Sequence, residues 1–380
     1  MSDKHYILEN AQLMAEWNWE RNTDSDPSQL TLGSHKEVWW QNKGGSNLSC
    51  RKGQNRHKSQ KAMEKNDMYD MTKVERYLAL AAGITNGEKF LYFTDPHYVE
   101  GKKPEGRIYP AYEHMLDVMG EYFRASSASF ALSGGDWLNN TNTREAAILN
   151  MKDIDARMQA AFGDAFYLIF GNHDYNYQIW EEERSTVTKS PHWLTLDEIN
   201  AAWYSDKKYG GRSYYSFAGE NTTFYAFNSG IDWWHTVMSD LDVEQIGWFL
   251  DQLAARDDAH IALAPHMLYI SGTNLNPGTA KLLEIAEIYN ARGTVSFQDA
   301  CYDFSSKTGR VEFLIAGHSH RDEVSTYNGI PCILTVNNGV SCPSFDLVAV
   351  DYDARKICLT RINAETAEEA APLDRSIPLS

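Results

Sequence analysis

An α/β fold, with two sheets and helices packed outside them, is predicted by three observations on this 380-residue chain. Apolar runs of strand length recur along it. Stretches with helical spacing separate many of them. Hairpin signals crowd its second half, and strand–helix alternation followed by paired strands is the pattern of packed layers. Taken in order, Lys89–Thr94 is the first buried-type strand. Tyr109–Ala128 then carries Met115, Val118, Met119, Tyr122 and Phe123 at helical spacing. Ser129–Gly135 is a strand, Arg144–Phe162 a helix, and Phe166–Gly171 a strand. Thr195-Leu-Asp-Glu198 is a capping box opening a helix through Trp203. Tyr214–Phe217 and Phe224–Phe227 flank Gly219 as a hairpin. Asp242-Val-Glu-Gln245 opens a helix with Ile246, Phe249, Leu250 and Leu253 on one face. Ile261–Pro265 and Val311–Gly317 are further strands. Asn328-Gly329 is a strong two-residue hairpin signal, and Phe345–Tyr352 pairs with Lys356–Ile362.

Five of these apolar runs end in Asp, His or Asn. Asp95 and His97 follow the first. Asp136 follows the second, and Asn172, His173 and Asp174 follow the third. His266 follows Pro265, and His318 and His320 follow Gly317. Open α/β sheets collect ligands at the carboxyl ends of their strands, so five such clusters point to one site. The set holds carboxylate, amide and imidazole but no thiolate, which excludes a cysteine-type structural zinc. It suits two divalent cations from among Mn, Fe, Zn, Co and Ni. Two metals about 3.5–4 Å apart can share a bridging carboxylate, and Asp136, alone after its strand, suits that place.

Each residue also has a plainer reading. His266 alone would be a polar boundary residue, and Asn172 a turn former. His318 and His320 alternate along a segment expected to be extended and would share one face, as a mere surface pair could also do, but Gly317 and the buried-type strand before them argue against that. His5, His35, His57, His114, His192 and His260 stand outside the clusters and are expected to be solvated or locally satisfied.

At this point the residues match a family. The chain resembles the calcineurin-like metallophosphoesterases, whose blocks run D-x-H, G-D-x-x-(D/N), G-N-H-(D/E), a lone H, and G-H-x-H. Here they read Asp95-Pro-His97, Gly135-Asp136-Trp-Leu-Asn139, Gly171-Asn172-His173-Asp174, His266 and Gly317-His318-Ser-His320. All five occur in order over roughly residues 88–362. The resemblance implies a four-layer α/β/β/α sandwich of two mixed sheets. It implies that Asp95, His97, Asp136 and His320 hold one metal, and Asp136, Asn172, His266 and His318 a second. It places His173 at the leaving-group oxygen and has Asp174 orient that ring. Purple acid phosphatases differ in having Gly at the position of His97 and a ligating Tyr at that of Asn139. The tyrosinate centre is therefore not expected here.

The implied activity is metal-dependent hydrolysis of a phosphate ester, with a small phosphorylated molecule or nucleotide as substrate. A nuclease and a non-catalytic scaffold remain the alternatives. A net charge of −17 disfavours long polyanions over most of the surface. No stretch reaches membrane-span length, the N-terminus lacks a signal-peptide core, and five cysteines without a C-x-x-C pair fit a reduced cytoplasmic protein. Specificity is expected from loops around Tyr98–Arg107, Trp137–Thr143, Tyr175–Ser190 and Met267–Thr279. In these, Trp137, Tyr175 and Tyr177 could stack on a base, and Asn139 and Asn140 could meet phosphate oxygens.

Residues 1–70 read as an appendage to a catalytic domain over 71–380. Their Trp39-Trp40 context resembles a treble-clef zinc-ribbon repeat. Asn42 stands where that repeat has its first Cys, Gly44-Gly45 where it has Gly-His, and Cys50 is the only nearby cysteine. The segment is therefore a decayed copy or an unstructured leader, and Trp39 and Trp40 could serve a protein partner. Removing residues 1–70 should leave folding and hydrolysis nearly intact. The measurement is the melting temperature and model-diester hydrolysis of the truncated chain. More than about tenfold loss of rate, a barrier change near 1.4 kcal/mol, would show that the leader supports the catalytic domain.

Overall fold

The computed structural model describes residues 37–41, 47–51, 71–97, 112–138, 143–176, 178–181, 186–189, 192–229, 243–335, 344–363 and 375–379. The chain divides into two compact units, Met1–Tyr69 and Asp70–Ser380. In the first, Glu37–Gln41 pairs antiparallel with Asn47–Arg51, setting Val38 opposite Cys50.

The second unit is built on two six-stranded mixed sheets. Their strands, in chain order, are β1 (Gly87–Phe93), β2 (Phe130–Ser133), β3 (Phe166–Leu168), β4 (Tyr215–Ala218), β5 (Thr222–Phe227) and β6 (His260–Pro265). The remainder are β7 (Arg310–Ala316), β8 (Glu323–Tyr327), β9 (Ile330–Leu334), β10 (Ser344–Asp351), β11 (Lys356–Asn363) and β12 (Arg375–Pro378). The first sheet has the order β12-β11-β10-β1-β2-β3, and the second β8-β9-β7-β6-β5-β4. β1, β2 and β3 run parallel to one another, as do β5, β6, β7 and β9. The centres of both sheets are covered on both faces. Their strands accordingly read as continuous apolar runs rather than alternating ones.

The helices are α1 (Met71–Ala81), α2 (Tyr112–Ser126), α3 (Arg144–Phe162), α4 (Leu196–Trp203), α5 (Val243–Ala255) and α6 (Pro277–Asn290). Their starts have local causes. Thr143 caps α3 by accepting from Ala146 N, and the expected capping box opens α4 through Thr195 and Glu198. Asn276 caps α6 and Pro277 occupies its first turn, where a missing N–H costs nothing. The first three helices cover the outer face of the first sheet. Tyr77 of α1 donates to Val348 O at 3.0 Å, and Tyr122 of α2 meets Phe345 edge-on. Phe162 of α3 packs on Phe93, and α4 rests on α3 through a Trp203 Nε1 bond to Met151 O at 2.7 Å. α5 and α6 cover the second sheet, with Phe249, Leu282 and Ala286 buried among Tyr225, Leu263 and Leu314. This is the four-layer sandwich that the sequence implied.

The inner faces meet in an aromatic layer. Phe90 meets Phe224 across the gap at 5.4 Å, and Phe224 meets Phe313 within the second sheet. Polar ties close this layer at the amino ends of the central strands. Asn221 N donates to Glu88 Oε2 at 3.1 Å, Thr222 bonds Tyr352, and Arg355 Nη1 donates to Glu312 Oε1 at 3.0 Å. His260 is indeed locally satisfied, by Glu312 at 2.8 Å and by stacking on Tyr352.

Glu88 in that layer is fully buried, and one of its oxygens has no hydrogen-bond partner. Burial pushes its carboxyl up to about 7, against the pull of the Asn221 N–H. An unfolded Glu titrates near ~4.3. As pH rises from there to 7, the unfolded chain gives up this proton first, so stability falls through that window and stays lower above it. Glu88→Gln should remove this loss. Its melting temperature should match the parent at pH 5 and exceed it at pH 8. An equal difference at both pH values would refute the assignment.

Candidate metal centre

The site forms where the carboxyl ends of the parallel strands face one another across the sandwich. Asp95 and His97 follow β1, Asp136 follows β2, Asn172 to Asp174 follow β3, His266 follows β6, and His318 and His320 follow β7. Three sets lie within mutual ligand distance, each able to hold a cation: Asp95, His97 and His320; His97, Asp136 and His173; Asp136, His266 and His318. Asp136 belongs to two of these sets. Its Oδ2 stands 3.1 Å from His266 Nε2, and its Oδ1 accepts the His173 N–H at 2.8 Å. His320 Nε2 lies 3.1 Å from both Asp95 Oδ1 and His97 Nε2.

The donor set fits divalent cations on two observations. Asn172 Oδ1, His266 Nε2 and His318 Nδ1 are buried without hydrogen-bond partners among the described residues. Buried polar atoms are otherwise almost always paired. The opposite ring nitrogens are engaged with main-chain carbonyls. His266 Nδ1 donates to Gly134 O at 2.6 Å, and His318 Nε2 reaches Ile270 O at 3.4 Å. That fixes the tautomer of each neutral ring, whose other nitrogen would then turn its lone pair toward the site.

The backbone is bent to make this possible. Asp95, His97, Asp136, His318 and His320 all have positive φ, between 47° and 65°. Such left-handed conformations are uncommon outside glycine, though Asp and His are among the residues that tolerate them. They cluster where surrounding structure over-determines them. His318 and His320 thus sit on a turn, not on the extended segment expected. The left-handed steps send one ring into the set with Asp95 and the other into the set with Asp136. Close approach explains two glycines. A Cβ on Gly171 would collide with Asp136, and one on Gly317 with Thr94 and Asp95.

Asp174 is tied to the main chain around Asp136. Its Oδ1 accepts from Trp137 N at 2.8 Å and Leu138 N at 3.0 Å, and its Oδ2 from Gly171 N at 2.8 Å and Asp136 N at 3.2 Å. All four of these donors are main chain, so the carboxylate holds the turn that carries Asp136. Thr94 was not singled out in the sequence, yet its Oγ1 donates to Asp95 Oδ2 at 2.6 Å. Its position directly before Asp95 was the available signal. Trp137 is fully buried edge-on against Phe93, and Tyr175 is buried against Phe170, so both serve as packing residues. Residues Met267–Thr279 form a short hairpin, Tyr269–Ser271 with Asn274–Leu275, and the first turn of α6. The expectations for Asn139, Asn140, Tyr177 and Tyr98–Arg107 fall outside the described residues.

The charges explain the proton affinities. Burial lowers the His266 proton affinity, but the Asp136 and Asp95 carboxylates prevail and push it up to about 10. Burial and the neighbouring His173 bring His97 down to about 3, and burial with His266 brings His318 down to about 4. Burial and the adjacent Asp136 charge push Asp174 up to about 7. His320, on the solvent side with 39% of its side chain exposed, is raised: burial works against it, and the bond to Asp95 outweighs that.

A family model described as calcineurin-like phosphoesterase matches residues 88–322, more than half of the chain. A second, described as a probable treble clef zinc finger domain, matches residues 13–62. No curated protein is significantly similar to the chain. Among solved structures it is similar to a dimetal phosphatase from Danio rerio, at 14% identity and a TM-score of 0.50, over 77% of this chain and 99% of that one. A purple acid phosphatase from yellow lupin (Lupinus luteus) seeds aligns at 13% identity and a TM-score of 0.47, over 92% of this chain and 60% of that one. No helix among the described residues is long and apolar enough to cross a membrane. With the family's blocks converging at one end of the sandwich and its model spanning both sheets, the chain belongs to the calcineurin-like phosphoesterases.

Proposed function

We propose that this chain hydrolyses a small phosphate ester, a nucleotide among the candidates, at a centre for two divalent metals. The observation that carries the reading is the place of Asp136, whose carboxylate lies within ligand distance of histidines from both sheets. In this reading Asp95, His97, Asp136 and His320 hold one cation, and Asp136, Asn172, His266 and His318 hold the other. The Danio rerio relative in fold, a dimetal phosphatase, supports a pair of metals. When bound, such a pair draws in phosphoryl oxygens, neutralises their charge and makes a water nucleophilic near neutral pH.

The chain's own groups do the rest. His173 lies at the edge of the centre, its ring 4.7 Å from that of His97. Burial holds its proton affinity below the usual imidazole range, with Asp136 and Asp95 opposing. An anionic ester beside it would raise that affinity by the same coulombic rule, so the ring can carry a proton to the leaving oxygen. Asp174 keeps Asp136 in place by holding its turn, and Thr94 does so for Asp95. The acidic surface favours a small substrate over a polyanionic chain.

Two substitutions test this. Asp136→Asn should abolish turnover and loosen both metals, checked by elemental analysis of the purified protein. Retention of two metals with normal rate would refute the bridging role. His173→Ala should keep its metals and lose roughly 10²–10⁴ in rate on alkyl esters, where the departing oxygen is basic. The loss should be smaller on an activated aryl ester, and equal losses on the two would remove the acid role.

A further inference from the structure

The centre takes Asp95, His97, Asp136 and Asn172 from the first sheet and His266, His318 and His320 from the second. Its geometry therefore depends on how the two sheets are fixed to each other at this end. One buried cation stands at that junction. Arg361, on β11, is 4% exposed and directly opposite Asp346 of β10. Its Nε donates to Asp346 Oδ1 at 2.5 Å, and its Nη2 lies 2.9 Å from Asp346 Oδ2. Asp346 in turn stands opposite Tyr92 of β1, two residues before Thr94. The guanidinium is thus anchored in the first sheet beside the strand that delivers Asp95.

The same guanidinium reaches the second sheet. Nη1 donates to Asp322 Oδ2 at 3.0 Å, and Nη2 lies 2.7 Å from Asp322 Oδ1 and 2.6 Å from Thr335 Oγ1. Arg375, on β12, adds a second ion pair to Asp322 Oδ1 at 2.5 Å. Asp322 is two residues beyond His320, and Thr335 directly follows β9. The turn carrying both histidines is consequently pinned at two places. At its start, His318 N donates to Asp95 Oδ2 at 2.9 Å. At its end, Asp322 is held by two arginines of the first sheet.

We propose that Arg361, acting through Asp322, is a positioning residue for His320 and His318, setting their distance from Asp95 and Asp136. The proposal rests on the dinuclear reading above. Stability alone is a weak reason for such a network, because a buried ion pair is often no better than well-packed apolar side chains of the same volume. What charge pairs with bidentate geometry add is a defined separation and angle between the groups they join. The turn needs that constraint, since His318 and His320 both hold left-handed backbone that would relax if freed.

The test compares Asp322→Asn and Arg361→Met with Arg355→Met in the full chain. Arg355 also ties the two sheets, through Glu312, but at the opposite end. Each protein is stripped of metal, confirmed folded by circular dichroism, and titrated calorimetrically with Mn²⁺ and with Zn²⁺. Melting temperatures are recorded alongside. Loss of a residue that orients a metal ligand typically costs 10–100-fold in affinity. Asp322→Asn and Arg361→Met should therefore weaken one of the two binding steps by about tenfold or more, while Arg355→Met lowers the melting temperature and leaves both steps unchanged. If the two site-end variants only lower the melting temperature, as the control does, the positioning role is overturned. Should Arg361→Met fail to fold, Asp322→Asn decides alone, since its side chain is at the half-open edge of the network. A parent protein that takes up neither metal overturns the dinuclear reading itself, and this proposal with it.

Discussion

Two carboxylates, Asp95 and Asp136, lie in the interior of the sandwich at essentially zero exposure, and their ion partners among the described residues are histidines alone. Burying an ionised carboxylate without a compensating charge is among the most expensive things a fold can do. The same two carboxylates hold the His266 proton affinity up to about 10. A divalent cation would answer the same demand with more charge in less space. Much of the local structure serves this concentration of charge. Glycines stand where a Cβ would strike Asp136 or Asp95, and left-handed backbone appears at five of the site's residues. A neighbouring carboxylate, Asp174, is engaged by four main-chain N–H groups.

The fold supplies the place for that charge. Parallel strands end together, and their carboxyl ends leave loops free to turn inward. Two such sheets facing each other double the number of loops that can converge. The cost is that half of the site is covalently remote from the other half. The aromatic layer between the sheets holds them together, but apolar packing is non-directional and tolerates small slips. Directional ties at both ends of the layer remove that freedom. Glu88, Thr222 and Glu312 act at one end, and Arg361 with Asp322 at the other.

Much of this was legible in the sequence, because local pattern determines it. Strand ends were marked by the change from apolar to polar residues, and helix starts by Thr195 and Asp242. The hairpin at Asn328-Gly329 was marked by a pair that accepts positive φ, at 52° and 74°. The helix Pro277–Asn290 was signalled by Asn276-Pro277, and only its first turn falls within Met267–Thr279, the stretch expected to be a site loop. The turn at His318 and His320 looked extended, since a left-handed step at Asp or His leaves no compositional trace. Trp137 and Tyr175 show the limit at strand ends, where an aromatic beside a catalytic motif packs inward or faces substrate according to tertiary contacts alone. The Arg361–Asp322 link joins residues from different sheets, and nothing near either one announces the other.

Asp174 shows how one residue type changes meaning with its surroundings. Next to a histidine in sequence, a carboxylate suggests a partner for the ring. In the fold, the carboxylate that follows it meets the N–H groups of Gly171 and of residues 136 to 138. Burial and the Asp136 charge push Asp174 up to about 7 in the metal-free chain, although its main-chain donors favour the ionised form. A cation beside Asp136 would offset the repulsion between the two carboxylates. Metal ligands must shed their protons to bind, so a cation at Asp136 would also bear on the protonation of its neighbours. The same carboxylate that supports the turn mechanically also links its protonation to the occupancy of the centre.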